Sequence, residues 1–163
     1  MANLPAPLPF RRVGELQGAS DVSGWLTIDR EHLAGFGFST YLTAEALGRS
    51  LPPSPTHDLV DGFLLLSLVA HADLSRPLLD PAATYAYNYG LDRVRFTRPV
   101  HVGESVRVSR TVTSVRLKTP SRALVVCEGT VDVAGDDRPA MAATSLVLHV
   151  DAQAEAEQSE AGR

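Results

Sequence analysis

The thirteen residues VDGFLLLSLVAHA, 60–72, constrain this 163-residue chain more than any other stretch. Nine of the thirteen are apolar, and the run opens on Asp61-Gly62. By periodicity alone such a run suits a buried strand or a buried helix. Its leucine content, its Asp-Gly start and its length predict a helix, apolar on nearly every side and therefore buried. It is too short for a membrane span and carries Asp61 and His71 within it.

After Pro81 the pattern changes to Val, Thr, Tyr and Leu over 84–98, 104–117, 121–133 and 139–150. Val125, Cys127, Val131 and Val133 share one face at period two, as do Leu146, Leu148 and Val150. Breaks at Pro99 to Gly103, Thr119-Pro120 and Gly135-Asp136-Asp137 predict four long strands in an antiparallel meander. One buried helix followed by such strands predicts an α+β fold, a long antiparallel sheet wrapped around a central helix. Upstream, Trp25 to Ile28 reads as a short strand, and Asp29 as the N-cap of a helix running to about Phe38. Pro52, Pro53 and Pro55 break residues 40–58 into a helical turn and a loop. The expected organisation is a flexible arm over 1–20, the domain over 21–150 and a disordered acidic tail over 151–163.

Composition removes several classes of function. One cysteine, Cys127, excludes an intrachain disulfide framework and a cysteine-rich zinc site. A formal charge of −4 gives no basic excess for nucleic acid. The start MANLPAPLPF has no basic leader before an apolar run, so the expected location is the cytoplasm, with no membrane attachment. His32, His71, His101 and His149 are scattered without metal-ligand spacing, and neither a metal nor another cofactor is expected.

VDGFLLLSL (60–68) and NYGLDRVRFTRPVHVGESVRV (88–108) together resemble the MaoC-like dehydratases, a branch of the hot-dog fold. The resemblance covers about residues 22–150, and the glycine, proline and arginine spacing of the second segment is its more specific part. It implies reversible addition of water to a 2-enoyl thioester carried by coenzyme A or an acyl carrier protein. It also implies a homodimer, with sheets joined edge to edge and sites near the interface. The family places an Asp and a His on the loop before the central helix as base and acid. A backbone N–H at the start of that helix polarises the thioester carbonyl.

This chain departs from that wording. Thr43-Ala44-Glu45 stands for Thr-Gly-Asp, so Glu45 takes the Asp position and Ser50 falls where the His belongs. Asp61 replaces the His of Ala-His-Gly. Glu45 is either a base whose pKa burial has raised or a solvated glutamate. Asp61 is a helix cap, a proton-handling carboxylate, or both. His57 either stands in for the missing imidazole or is an exposed loop histidine. Glu45, Asp61 and His57 are therefore the candidate catalytic residues; Gly62, Phe63, Ser50, Asn88, Tyr89 and Gly90 are the candidate substrate-binding ones. Tyr87 and Tyr89 read equally as packed aromatics. Eight basic residues between 93 and 122 suit either the phosphates of a carrier or a solvated sheet face.

Three functions fit these residues. The first is hydration, dehydration or a derived isomerisation or cyclisation of an enoyl or hydroxyacyl thioester or a polyketide-type relative, run by carboxylates. The second is a hot-dog thioesterase. The third is a non-catalytic acyl-binding subunit in a heterodimer with an intact hydratase subunit.

Overall fold

A computed structural model describes residues 6–48 and 58–161. Its elements are a 3-10 helix Phe10–Leu16, β1 (Ser20–Val22), β2 (Leu26–Thr27), α1 (Arg30–Ser39), α2 (Gly62–Ser75), β3 (Thr84–Phe96), β4 (Ser105–Thr119), β5 (Arg122–Val133), β6 (Met141–Asp151) and α3 (Ala152–Ala161). The six strands form one sheet in the order β1-β4-β5-β6-β3, with β2 also on β4. Every pairing is antiparallel. The α+β class and the long sheet against a central helix stand as the sequence suggests.

The expected meander holds only for β4-β5-β6. β3 crosses to the far edge and pairs with β6 instead of β4. The crossing segment, 97–104, is zipped to the chain entering α2. Val60 N–H donates to Val100 O at 2.8 Å and Val102 N–H to Asp58 O at 2.8 Å. A left-handed Gly103 (φ 92°) turns the chain, and the neighbouring Glu104 carboxylate accepts from His101 N–H at 2.7 Å and from Arg98 Nη2 at 2.8 Å. The Arg98 bonds, with that backbone N–H, hold the Glu104 carboxyl below its usual range. The RFTRPVHVGE wording thus fixes where α2 begins.

α2 presents Leu65, Val69 and Ala72, one helical face, to Val106 and Val108 of β4, Val131 and Val133 of β5 and Met141 and Ala143 of β6. The helix is not buried on nearly every side, as its composition suggests. Phe63 is 69% exposed and Leu74 84% exposed, a second apolar face left open among the described residues. The outer strand β3 is open beside it, with Tyr85, Tyr87, Tyr89 and Leu91 exposed.

Residues 10–16 and 152–161 are more ordered than composition suggests. Phe10, Val13 and Leu16 recur every third residue, the period of a 3-10 helix, and bury against Leu78, Leu79, Val112 and Val125. The prolines of the arm precede that helix without interrupting it. Residues 152–161 form α3 in place of a disordered tail. The Asp151 carboxylate caps it, accepting from Gln153 and Ala154 N–H at 3.1 Å each, and Glu155 pairs with Arg122 and accepts from Ser121 Oγ. No helix among the described residues is long and apolar enough to cross a membrane.

Candidate active site at the start of the central helix

Asp61 is the N-cap of α2. Its backbone is extended (φ −60°, ψ 135°), its Oδ1 accepts from Phe63 N–H at 2.7 Å, and its carbonyl accepts the first helical bond from Leu65 at 3.1 Å. Phe63 N–H is therefore occupied, whereas Gly62 N–H, at the first helical position, has no partner within the helix. With the helix dipole behind it, that amide is a donor for a developing negative charge. Replacing Asp61 by Ala is expected to cost about 1 kcal/mol of stability, read from the denaturant midpoint, because the cap is lost.

Gly62 also makes room for a neighbouring ring. A Cβ built there would meet the Phe96 ring at 3.1 Å, so the aromatic ring at the end of β3 lies directly on the helix start. The same ring, with Val60, Leu65, Thr97 and Val100, lines a cavity of about 400 Å³ beside Gly62.

Phe63, Asn88, Tyr89 and Gly90 come together on a groove between α2 and the β3–β6 edge. Its first segment is about 450 Å³ and its second about 380 Å³; Ala70, Asp73, Asn88 and Val147 line both, so the two adjoin. Glu45 is exposed, in a single turn capped by Thr43, whose Oγ1 accepts from Ala46 N–H at 3.2 Å. No hydrogen bond or ion pair among the described residues joins Glu45 to Asp61. Ser50 and His57 lie outside the described residues. The chain enters this segment through a Schellman turn, with Leu42 N–H on Gly37 O (2.8 Å) and Tyr41 N–H on Phe38 O (3.3 Å). Tyr41 (φ 59°) occupies the left-handed position that glycine ordinarily fills, at a cost of roughly 1–2 kcal/mol.

Four of the eight basic residues are tied up within the protein. Arg98 pairs with Glu104, Arg122 with Glu155, and Arg107 with Asp132 while lying 4.6 Å over the Trp25 ring. Arg110 is buried, its side chain 2% exposed. It donates to both Asp21 oxygens (2.7 and 3.1 Å), to Asp73 Oδ1 and to the Arg76 carbonyl. Burial raises the Asp73 carboxyl above its usual range, against the pull of Arg110. Burial also pushes the Cys127 thiol up to about 12 and the His149 imidazole down to about 4, so both are neutral at pH 7. A sequence signal for Arg110 existed. It sits in register with Val106, Val108 and Val112 on the inward face of β4, where an arginine demands buried partners.

Known proteins share this architecture. No family model matches the chain. Nodulation protein N of Rhizobium leguminosarum bv. viciae is 29% identical over 143 residues, covering 84% of this chain and 86% of that protein. The 3-hydroxyacyl-thioester dehydratase Z of Mycobacterium tuberculosis is 30% identical over 141 residues, covering 84% and 90%. Among solved structures, the monoamine oxidase regulatory protein from Archaeoglobus fulgius superposes with a TM-score of 0.68 at 19% identity, covering 91% and 98%. The MaoC-like dehydratase from Rhodospirillum rubrum gives 0.60 at 15% identity, covering 83% and 92%. The architecture is the hot-dog fold. The chain belongs to the MaoC-like dehydratase family, whose related members include hydratases and dehydratases.

Proposed function

We propose that this protein adds water to, or removes it from, an enoyl or hydroxyacyl thioester carried by coenzyme A or a carrier protein, polyketide-type chains included. The observation that carries this reading is the start of α2, a capped helix end whose Gly62 amide has no partner within the helix. In the hydration direction, the thioester oxygen accepts from Gly62 N–H as water attacks Cβ. A carboxylate takes the water proton, and a proton returned to Cα gives the 3-hydroxyacyl product. Asp61 and Glu45 are the carboxylates assigned to this traffic. The similarity to the 3-hydroxyacyl-thioester dehydratase supports the substrate class. A cytoplasmic location accords with such a substrate.

The same reading makes the protein a dimer. An exposed edge strand of 13 residues carrying Tyr85, Tyr87, Tyr89 and Leu91, next to Phe63 and Leu74, is an apolar surface of the kind a second subunit covers. The second copy is an identical chain or, in the non-catalytic alternative, an intact hydratase subunit. Ser50 in the His position and Asp61 in place of the helix histidine are the departures that support that alternative.

Incubation with crotonyl-CoA distinguishes the readings. Loss of the conjugated absorbance without thiol release is the expected result. Thiol release would make the protein a thioesterase, and neither change would leave the acyl-binding subunit. Asp61→Asn is expected to keep stability within about 0.5 kcal/mol, since Asn caps as well as Asp. If the carboxylate moves protons, the same change lowers the rate by roughly 100-fold.

A further inference from the structure

The groove along α2 is apolar at both ends and polar at its waist. Its first segment has Phe63, Leu66 and Leu91, and its second Leu74, Leu78 and Pro81. Asp73 and Asn88 line both segments, and His149 lines the second. Asp73 is held there from behind, its Oδ1 taken by the buried Arg110, itself clamped by Asp21. A hydrocarbon tail alone would cover Asn88, His149 and the second oxygen of Asp73 without offering them a hydrogen bond, at a cost in affinity.

Resting on the acyl-thioester reading above, we infer that the protein selects long acyl chains carrying a hydroxyl far from the thioester, and that Asp73 and His149 are the residues that read it. The hydroxyl donates to the carboxylate of Asp73 and accepts from the imidazole of His149 or the amide of Asn88, a match that neither a methyl nor a charged group makes. The neutral state of His149 provides one ring N–H and keeps a second positive charge out of the groove. The length follows from the helix. Asp73 lies eleven residues beyond Gly62, ~16 Å along α2 at 1.5 Å per residue. An extended chain covering ~16 Å has ~14 backbone atoms. A short chain such as crotonyl does not reach the waist.

Calorimetric titration of the full-length protein with dodecanoyl-CoA and 12-hydroxydodecanoyl-CoA tests the inference. The hydroxylated ligand is expected to bind about tenfold tighter, the difference one charge-assisted hydrogen bond makes. That ratio should fall below about threefold in Asp73→Leu and in His149→Leu. The second variant leaves the Arg110 ion pairs in place and keeps the test alive if the first does not fold. Equal affinity of the two ligands for the native protein overturns the inference, as does a tenfold preference that survives in both variants. So does a dimer whose groove admits neither ligand. Crotonyl-CoA turnover separates the two levels. A protein that hydrates crotonyl-CoA but ignores the distal hydroxyl loses only the selectivity, whereas one that shows the preference without turnover loses the hydratase reading and keeps the groove.

Discussion

Replacing Arg110 by methionine is expected to destabilise the protein by about 3–5 kcal/mol, seen as a lower denaturant midpoint at unchanged slope. The side chain fits the space, so the loss is electrostatic. Asp21, 6% exposed, and the largely enclosed Asp73 would be left without their guanidinium, and the Arg76 carbonyl without its donor. Arg76 Nε, 3.5 Å from Asp21 and on a half-exposed side chain, screens only one of the two carboxylates. Neutralising the partners together, as Arg110→Met with Asp21→Leu and Asp73→Leu, is expected to recover most of the loss, because a well-packed apolar cluster avoids the desolvation cost of the ions. A loss under about 1 kcal/mol in the single variant would mean that the network is solvated. The ladder explains why the residue is placed there. Asp21 is the cross-strand partner of Arg110 in the β1–β4 pairing, and Asp73 reaches it from the last turns of α2. The network thus ties the outermost strand on one side to the helix and orients a groove residue.

Stability is expected to fall steeply between pH 6.5 and pH 4 through His149. Its folded-state pKa, pushed down to about 4 by burial and by the Arg110 charge, lies below the ordinary 6.5. Above pH 6.5 both folded and unfolded chains hold it neutral, and it costs nothing. As pH falls below 6.5 the unfolded chain binds the proton first. The folded state is penalised increasingly until about pH 4, by up to about 3 kcal/mol. Urea titrations at pH 7.5 and pH 4.5 should show this decline in the native protein and much less of it in His149→Leu. An equal decline in both would place the acid sensitivity on the carboxylates, of which Glu155, Glu104 and Asp29 have lowered pKa values of their own and act in the same direction.

The sequence made the larger elements legible because their signals are local. The Asp-Gly start and leucine run set α2 within a few residues, and the valine alternation with its Gly and Pro breaks bounded all four long strands. Asp29 and Asp61 were readable as caps from residue type and position. What stayed hidden depends on contacts between distant residues. Nothing in the eight residues 97–104 says that they cross to the opposite edge and do not turn back as a hairpin. Phe96 on Gly62 joins residues 34 apart and has no pattern at either. The three-residue spacing of Phe10, Val13 and Leu16 was present but overshadowed by the prolines before it. At the site, Phe63, Asn88, Tyr89 and Gly90 share the groove. Asp73 and His149 became visible only once α2 lay over β6.

The claim on which the chemistry depends is that the Gly62 amide receives the thioester oxygen, and one comparison tests it most directly. Gly62 occupies the first helical position, where proline is tolerated, and Asp61 before it already has the extended backbone that a following proline requires. Gly62→Pro removes the N–H and keeps the helix, while Gly62→Ala keeps the N–H and presses a Cβ on Phe96 in the same way. The expected kcat for crotonyl-CoA hydration in Gly62→Pro lies on the order of 100- to 1,000-fold below that of Gly62→Ala, the usual loss for one oxyanion donor. Equal rates in two folded variants would contradict it.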